Sequence, residues 1–397
     1  MIAEARRHAP LRTATAALVV ALIAGTLAMR PQLTAVGPLL SRIQDDLGES
    51  HARAGLLVTV PLLCMGLFAL PAARVLRRVD ARAAITGCLA LIVASTLLRA
   101  VAPEFGTMVA LTFLFGIAAG LMGAFLPVVA KERFAERPEL GTGVFALGLN
   151  AGATLGAGLA VPLANATGSW RWSLGSMAAA GALAVPAWVR LSRRSLAGTL
   201  PVETVNRLPW RSPLAWAVTL VFAFQAVCFF ALNAWLADVM VERGWADGSA
   251  GALVALLNLT PLLGVLIVSL AGGRLLGVGA YLAVSATGLL IGSVGIAAGA
   301  PSTWGWVVLS GLSLGALFAL SMTLSVLAGE GPGQVAAVAG MQLGVGYVVA
   351  AVAPVALGLL RDTTGSFSAG LWLVAATAGL VVCAVAAALR LLPESAR

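Results

Sequence analysis

The sequence predicts an all-α membrane protein of twelve transmembrane helices arranged as two pseudo-symmetric six-helix bundles. Three observations carry the prediction. Of 397 residues, 60% are hydrophobic and 10% charged, and the mean hydropathy is +0.98, whereas soluble domains carry about 25% charged residues. Cut at charge clusters and at Pro/Gly signals, the chain yields twelve apolar stretches. Each can cross a hydrocarbon core about 30 Å thick at about 1.5 Å per residue. Finally, the two halves of the chain share short sequences at a nearly constant offset.

In order, the expected spans are 12–41, 53–74, 82–102, 105–130, 140–165, 170–190, 213–237, 249–272, 275–299, 303–328, 334–360 and 366–391, called spans 1 to 12. Span 1 follows Arg6, Arg7 and Arg12. That start resembles a secretory signal, but the uncharged stretch beyond Arg12 is long enough to span and lacks a convincing cleavage signal. Spans 2 and 3 are parted by the basic cluster Arg74, Arg77, Arg78 and Arg82, and span 4 ends at Lys131-Glu132-Arg133. The polar, proline-bearing stretch "RRSLAGTLPVETVNRLPWR" after span 6 is the expected junction. It gives an N-terminal bundle (1–193), a cytoplasmic linker (194–210) and a C-terminal bundle (211–397).

Basic residues set orientation. With a cytoplasmic N-terminus, 18 Lys and Arg fall on the cytoplasmic side and six (Arg42, Arg53, Arg99, Arg171, Arg243, Arg361) on the other. Both termini are therefore expected in the cytoplasm. The net charge of +9 is spread over short loops with no soluble domain to present it, which argues against a nucleic-acid partner. Arginine outnumbers lysine 24 to 1, as in a GC-rich bacterial genome, so the expected location is the inner membrane. All four cysteines fall within spans and the two histidines, His8 and His51, lie in the N-terminal tail and first external loop. Neither a metal nor another cofactor is expected, and the chain reads as a monomer whose partners are a small-molecule substrate and the bilayer.

The repeat is explicit. "LGESHARAGLL" (47–57) resembles "RGWADGSAGAL" (243–253) at an offset of 196, "GIAAG" (116–120) matches "GLSLG" (311–315) at 195, and "ATGSW" (166–170) matches "TTGSF" (363–367) at 197. Parallel six-helix halves are the layout of the major facilitator transporters, with substrate held at the midplane between them. Small residues about four apart in "GLNAGATLGAGLAVP" (148–162) and "GMQLGVGYVVAAVAP" (340–354) allow close helix packing and sliding.

Along the chain, "MRPQLTAVGPLL" (29–40), "TVPLLCMGLFAL" (59–70), "FLPVVAKERF" (125–134), "AWLADVMVERG" (234–244) and "GMQLGVGYVVAAVAPVALGLLRDTTGS" (340–366) resemble the cyanate and 2-nitroimidazole porter branch of the major facilitator superfamily. The resemblance implies a secondary transporter of a small anionic or nitro-bearing organic solute working by alternating access, and no enzyme. Ala28 stands where family members often carry asparagine. The cytoplasmic signature between spans 2 and 3 is here "RRVDAR" (77–82), so any lock on that gate must use Arg77, Arg78, Asp80 and Arg82 differently.

Arg30 is the residue on which the site is expected to be built, the alternative being an arginine that ties helices together through backbone carbonyls. It lies about 27 Å from Arg12 and about 18 Å from Arg42 along a helix, too deep to snorkel, where an arginine costs about 2.5–3.5 kcal/mol to insert. Its planar fork of five donors suits carboxylates, cyanate-like anions or nitro groups. Pro31, Gly37 and Pro38 are expected to let span 1 bend. Further candidates for the substrate are Gln32, Thr34, Asn150, Gln225, Asn233, Gln342 and Tyr347, with Trp235 and Phe318 as apolar walls; interhelical hydrogen bonding or packing is the alternative for each. Asn258 is another uncharged polar residue at depth. Arg99 reads as an interface anchor at the end of span 3. All acidic residues are expected at helix ends or in loops, with Asp238 the closest to an exception. Drug efflux and a non-transporting membrane sensor are the competing functions. Topology is checked by cysteine labelling in a background without native cysteines: a cysteine at Ser50 should react from outside and one at Thr199 only after permeabilisation, and the reverse pattern would overturn the orientation.

Overall fold

Within hydrocarbon every backbone N–H and C=O must be paired inside its own segment, so apolar stretches this long become helices. The computed structural model describes residues 19–133, 138–191, 208–271, 277–329 and 331–392. Among the described residues, eleven helical stretches are long and apolar enough to cross a membrane, and there are twelve if a bent pair counts as one span. Span 1 is that pair, made of α1 (19–29), α2 (Pro31–Thr34) and α3 (Val36–Leu47). Spans 2 to 5 are α4 (His51–Arg78), α5 (Ala81–Ala100), α6 (Phe105–Arg133) and α7 (Pro138–Thr167). Span 6 breaks into α8 (Trp170–Ser176) and α9 (Ala178–Leu191). Spans 7 to 10 are α10 (Pro213–Glu242), α11 (Asp247–Ala271), α12 (Val278–Ala297) and α13 (Thr303–Leu327). Span 11 breaks into α14 (Pro332–Ala350) and α15 (Val352–Thr364), and span 12 is α16 (Ser368–Leu391). Most of the linker, with the N-terminal arginines, lies outside the described residues.

Span 1 is interrupted twice. The helix breaks at Arg30, before a proline that has no N–H to continue it, and it bends by 40° between Val19–Thr34 and Val36–Leu47. The bend falls at Ala35, between Thr34 and Pro38. A proline at position 38 cannot donate to the Thr34 carbonyl and its ring crowds that oxygen, which accounts for a kink there. Thr34 uses its own hydroxyl to tie the break down, donating to the Arg30 carbonyl (3.2 Å) and across to the Ala153 carbonyl of span 5 (2.9 Å).

The duplication is visible in packing. Gly116 and Gly120 of span 4 lie against span 2, where a Cβ on Gly120 would stand 2.7 Å from the Cys64 carbonyl oxygen. Their counterparts 195 residues on, Gly311 and Gly315 of span 10, lie equally hard against Thr260 and Pro261 of span 8. Asp46 and Glu242, 196 apart, each pair with an arginine of their own bundle: Asp46 with Arg171 at 2.9 Å, and Glu242 with Arg361 at 2.8 Å. Between the bundles the main contacts are span 1 with 7, span 2 with 11 and span 5 with 8.

At the end of the molecule where Gly48 turns span 1 into span 2, two polar contacts cross between bundles, the ion pair of Arg42 with Asp247 and the contact of the His51 ring with Asp362. At the opposite end Asp80 caps span 3 by accepting from the Ala83 N–H (2.9 Å), and Arg82 donates to the Val189 carbonyl of span 6 (2.9 Å). Arg78 is exposed there, and the Arg77 side chain lies outside the described atoms.

Two expectations are corrected. Arg99 is no interface anchor: it is fully buried, its guanidinium 5.4 Å from the centre of the Phe115 ring, and none of its three nitrogens has a hydrogen-bond partner among the described residues. Near the end of span 3 its side chain turns inward, and the face of an aromatic ring takes the role that water would have played. Asp238, expected just past the outer end of span 7, lies within it: span 7 continues to Glu242 and the aspartate is buried, 8% exposed. The described cysteines Cys64, Cys88 and Cys228 are buried and free, as expected of packing residues, while Cys383 is exposed.

Because a methyl group on Gly120 has only backbone to displace, Gly120→Ala should lower the melting temperature in detergent by several degrees, the effect of about 1–3 kcal/mol of overpacking. Gly123, on the same helix with open space around its Cβ position, should tolerate alanine without loss; equal behaviour of the two variants would refute the close approach.

Candidate functional site

Between the bundles lies a cavity lined from spans 1, 5, 7, 8, 10 and 11. Arg30 is the one charged residue among those that line it. It sits where α1 breaks, so its backbone is held at a fixed point: the Arg30 carbonyl accepts from the N–H groups of Leu33 (3.0 Å) and Thr34 (3.1 Å) and from the Thr34 hydroxyl. Its guanidinium pairs with no carboxylate among the described residues, and Nε is buried without an acceptor. The counterpart position 196 residues on, Ala226, also lines the cavity. One bundle therefore supplies a cation and the other, at the matching place, a methyl group.

The second bundle supplies aromatic rings instead. Phe222 meets Tyr347 edge-on at 5.4 Å and Phe318 at 6.2 Å, and Phe230 lies 6.2 Å from Tyr347 and 5.0 Å from Phe229. Such edge-to-face clusters hold their rings in fixed attitudes, giving a stiff apolar wall facing the arginine. Polar groups interrupt it at Gln225 and Asn258, with Asn150 on the other side. Asn258 spends its amide N–H on the Val254 carbonyl (2.9 Å), leaving Oδ1 buried and without a donor.

Of the candidates read from sequence, Arg30, Asn150, Gln225, Phe318 and Tyr347 come together here. The others lie elsewhere. Gln32 donates to the Met177 carbonyl (3.1 Å) at the break in span 6, and Thr34 is tied to Ala153 as above. Asn233 is buried where its backbone carbonyl presses on Gly37. Trp235 donates its indole N–H to the Pro354 carbonyl (2.8 Å). Gln342 bonds the Ser325 hydroxyl of span 10. Phe222, Phe229 and Phe230 were not singled out in the sequence, since a phenylalanine in a membrane span carries no mark of facing a cavity rather than lipid.

Two six-helix bundles around a central cavity, with Arg30 the one charged residue among its described lining, are the arrangement of a multi-pass membrane transporter. The family model of the Major Facilitator Superfamily matches residues 16–354, and the chain belongs to that superfamily. It is 30% identical over 367 residues to the 2-nitroimidazole transporter of Escherichia coli (strain K12), spanning 90% of this chain and 92% of that one. It is 29% identical over 342 residues to the cyanate transport protein CynX of the same organism, spanning 85% and 88%. In fold it is similar to the crystal structure of a bacterial homologue of the human lysosomal transporter Spinster, in an inward-facing and occupied conformation, with a TM-score of 0.71, 16% identity and 94% and 96% of the two chains covered.

The placement makes a prediction that needs no ligand. In a background without native cysteines, cysteines replacing Asn150 and Gln225 should react with a small membrane-permeant thiol reagent at least about tenfold faster than cysteines replacing Gln32 and Gln342, because reaction requires a solvated thiolate. Comparable rates at all four positions would contradict the cavity boundary.

Proposed function

We propose that the protein carries a small, planar, anionic or nitro-bearing organic solute across the inner membrane by alternating access. The observation that carries this reading is the guanidinium of Arg30, paired with no carboxylate among the described residues, in a cavity whose described lining holds no other charged residue and is aromatic on the other bundle's side. A planar fork of donors matches two oxygens on one plane, and the rings opposite accept the flat apolar remainder. The names of the two relatives, a 2-nitroimidazole transporter and a cyanate transport protein, fit solutes of this chemistry. Residues 1–193 and 211–397 form the two moving bundles, joined by 194–210, with both termini cytoplasmic and the Gly48 end external. Each chain holds a whole cavity, so the monomer is the working unit. Arg30 is the anchor, Asn150, Gln225 and Asn258 orient the solute, and Phe318 and Tyr347 with their neighbours form the wall. The breaks at Arg30 and Ala35 are the points at which span 1 flexes, with Pro31, Gly37 and Pro38 around them.

Proteoliposomes loaded against cyanate and 2-nitroimidazole test the assignment. Arg30→Ala should insert normally and lose at least about 90% of transport, and Arg30→Lys should recover little of it, because a compact ammonium cannot reproduce the fork. Wild-type rates in Arg30→Lys would rule out bidentate recognition. Wild-type rates in Arg30→Ala would remove the site altogether and favour efflux of apolar compounds through the aromatic wall.

A further inference from the structure

We infer that Asp362, at the end of span 11, is the latch that holds the two bundles together at the Gly48 end, and that it does so by capping a helix of the other bundle. Its Oδ1 accepts from the backbone N–H of His51 (3.1 Å) and its Oδ2 from that of Ala52 (2.8 Å), the first two residues of the 28-residue α4. These N–H groups have no partner within their own helix, and a carboxylate there also meets the positive end of the helix dipole. The same Oδ1 lies 2.8 Å from His51 Nδ1. Around it the seam is tight: a Cβ on Gly358 would stand 2.5 Å from the His51 carbonyl oxygen, and one on Gly55 2.8 Å from that of Pro354. The His51 ring packs 5.7 Å from Trp235 and 5.6 Å from Phe367, and Trp235 is fixed by its bond to Pro354. The buried tryptophan thus stiffens the latch rather than the cavity.

The repeat identifies what is special about this contact. Its counterpart by duplication joins the end of span 5 to the start of span 8, since Asn165 lies 197 residues before Asp362 and Asp247 lies 196 after His51. There the residue on the span 5 side is a neutral amide. The join is made instead by Arg42, which donates to Asn165 Oδ1 (2.6 Å) and Asp247 Oδ2 (2.9 Å), and the Asp247 side chain is 55% exposed. Exposed ion pairs of this kind contribute little; the Asp362 side chain is itself 24% exposed, and what sets it apart is that one carboxylate holds two helix N–H groups and an imidazole at once. Of two contacts born identical, one became a latch.

The test reads conformation, not transport. Spin labels on cysteines replacing Gly106 in the first bundle and Ala298 in the second, in full-length protein without native cysteines and held in nanodiscs, report the separation of the bundles at the Gly48 end. Both positions leave room for a label. Asp362→Asn should raise the ratio of separated to closed populations by at least about tenfold, as expected for loss of charge from an acceptor of several hydrogen bonds, while Asp247→Asn should change it less than about twofold. Should the asparagine variant not fold, Asp362→Ser, a neutral capping residue, is read in the same way. An unchanged ratio in the Asp362 variant, or an equal change in Asp247→Asn, overturns the latch. The inference rests on alternating access, so added 2-nitroimidazole serves as the separate reading: distances that shift with solute but not with Asp362→Asn discard the latch alone, and distances fixed under every condition discard alternating access with it.

Discussion

An ionised guanidinium at mid-depth in a bilayer costs several kcal/mol unless other charges or dipoles compensate it, and in this chain no carboxylate among the described residues does so for Arg30. The cost has to be limited by architecture. Breaking span 1 at the arginine and again at Ala35 removes regular helix from the place where the charge sits, and the side chain lines the cavity between the bundles. The rest of the cavity follows from that choice. Its remaining polar lining is uncharged and its opposite wall is aromatic, so a ligand can be both neutralised at one edge and desolvated along its face. A second cation on the matching side, at Ala226, would have doubled the cost and spoiled the apolar wall.

Duplication supplies the frame, and divergence between its copies supplies the function. The Gly116/Gly120 and Gly311/Gly315 pairs still make the same close contact in both bundles, as do the acid pairings of Asp46 and Glu242. These are internal to each bundle and must survive any rigid-body motion. Positions at the seam have instead drifted apart: Arg30 against Ala226, Arg42 against Asp238, Asn165 against Asp362. A perfectly symmetric carrier would have no means of preferring one state to the other. On the proposed reading, such differences at the seam bias the equilibrium between states while leaving the close contacts within each bundle intact.

Twelve spans, the repeat and the arginine at its centre were legible in the sequence because each depends on composition or on spacing along one axis. The rotation of each helix about its axis was not. In a soluble helix the polar stripe shows which side faces out, but a span buried against neighbours and lipid is apolar all round. Gln225 and Gln342 are therefore indistinguishable on paper, and only packing sends one to the cavity and the other to Ser325. Gln32 and Thr34 sit within four residues of Arg30 yet turn away to hold spans 5 and 6. Arg99 shows the same limit: its position near a helix end suggested an anchor, and only the direction of its side chain shows it to be internal. Capping across the seam by Asp362 was invisible because it joins residues 311 apart.

On the proposed reading, coupling follows from charge balance. The described residues lining the cavity include an arginine and no acid, so with an anionic solute the loaded site is neutral, while the empty site, or one holding an uncharged nitro compound, bears a full positive charge. On that reading, passing from one state to the other shuts the cavity off from water on both sides, where a bare charge is far more costly than a paired one. The loaded carrier then has the lower barrier of the two, and the empty carrier returns slowly. A protein built this way favours exchange of one anion for another over net movement. It needs no carboxylate at the midplane, because the solute itself provides the charge that permits the conformational change.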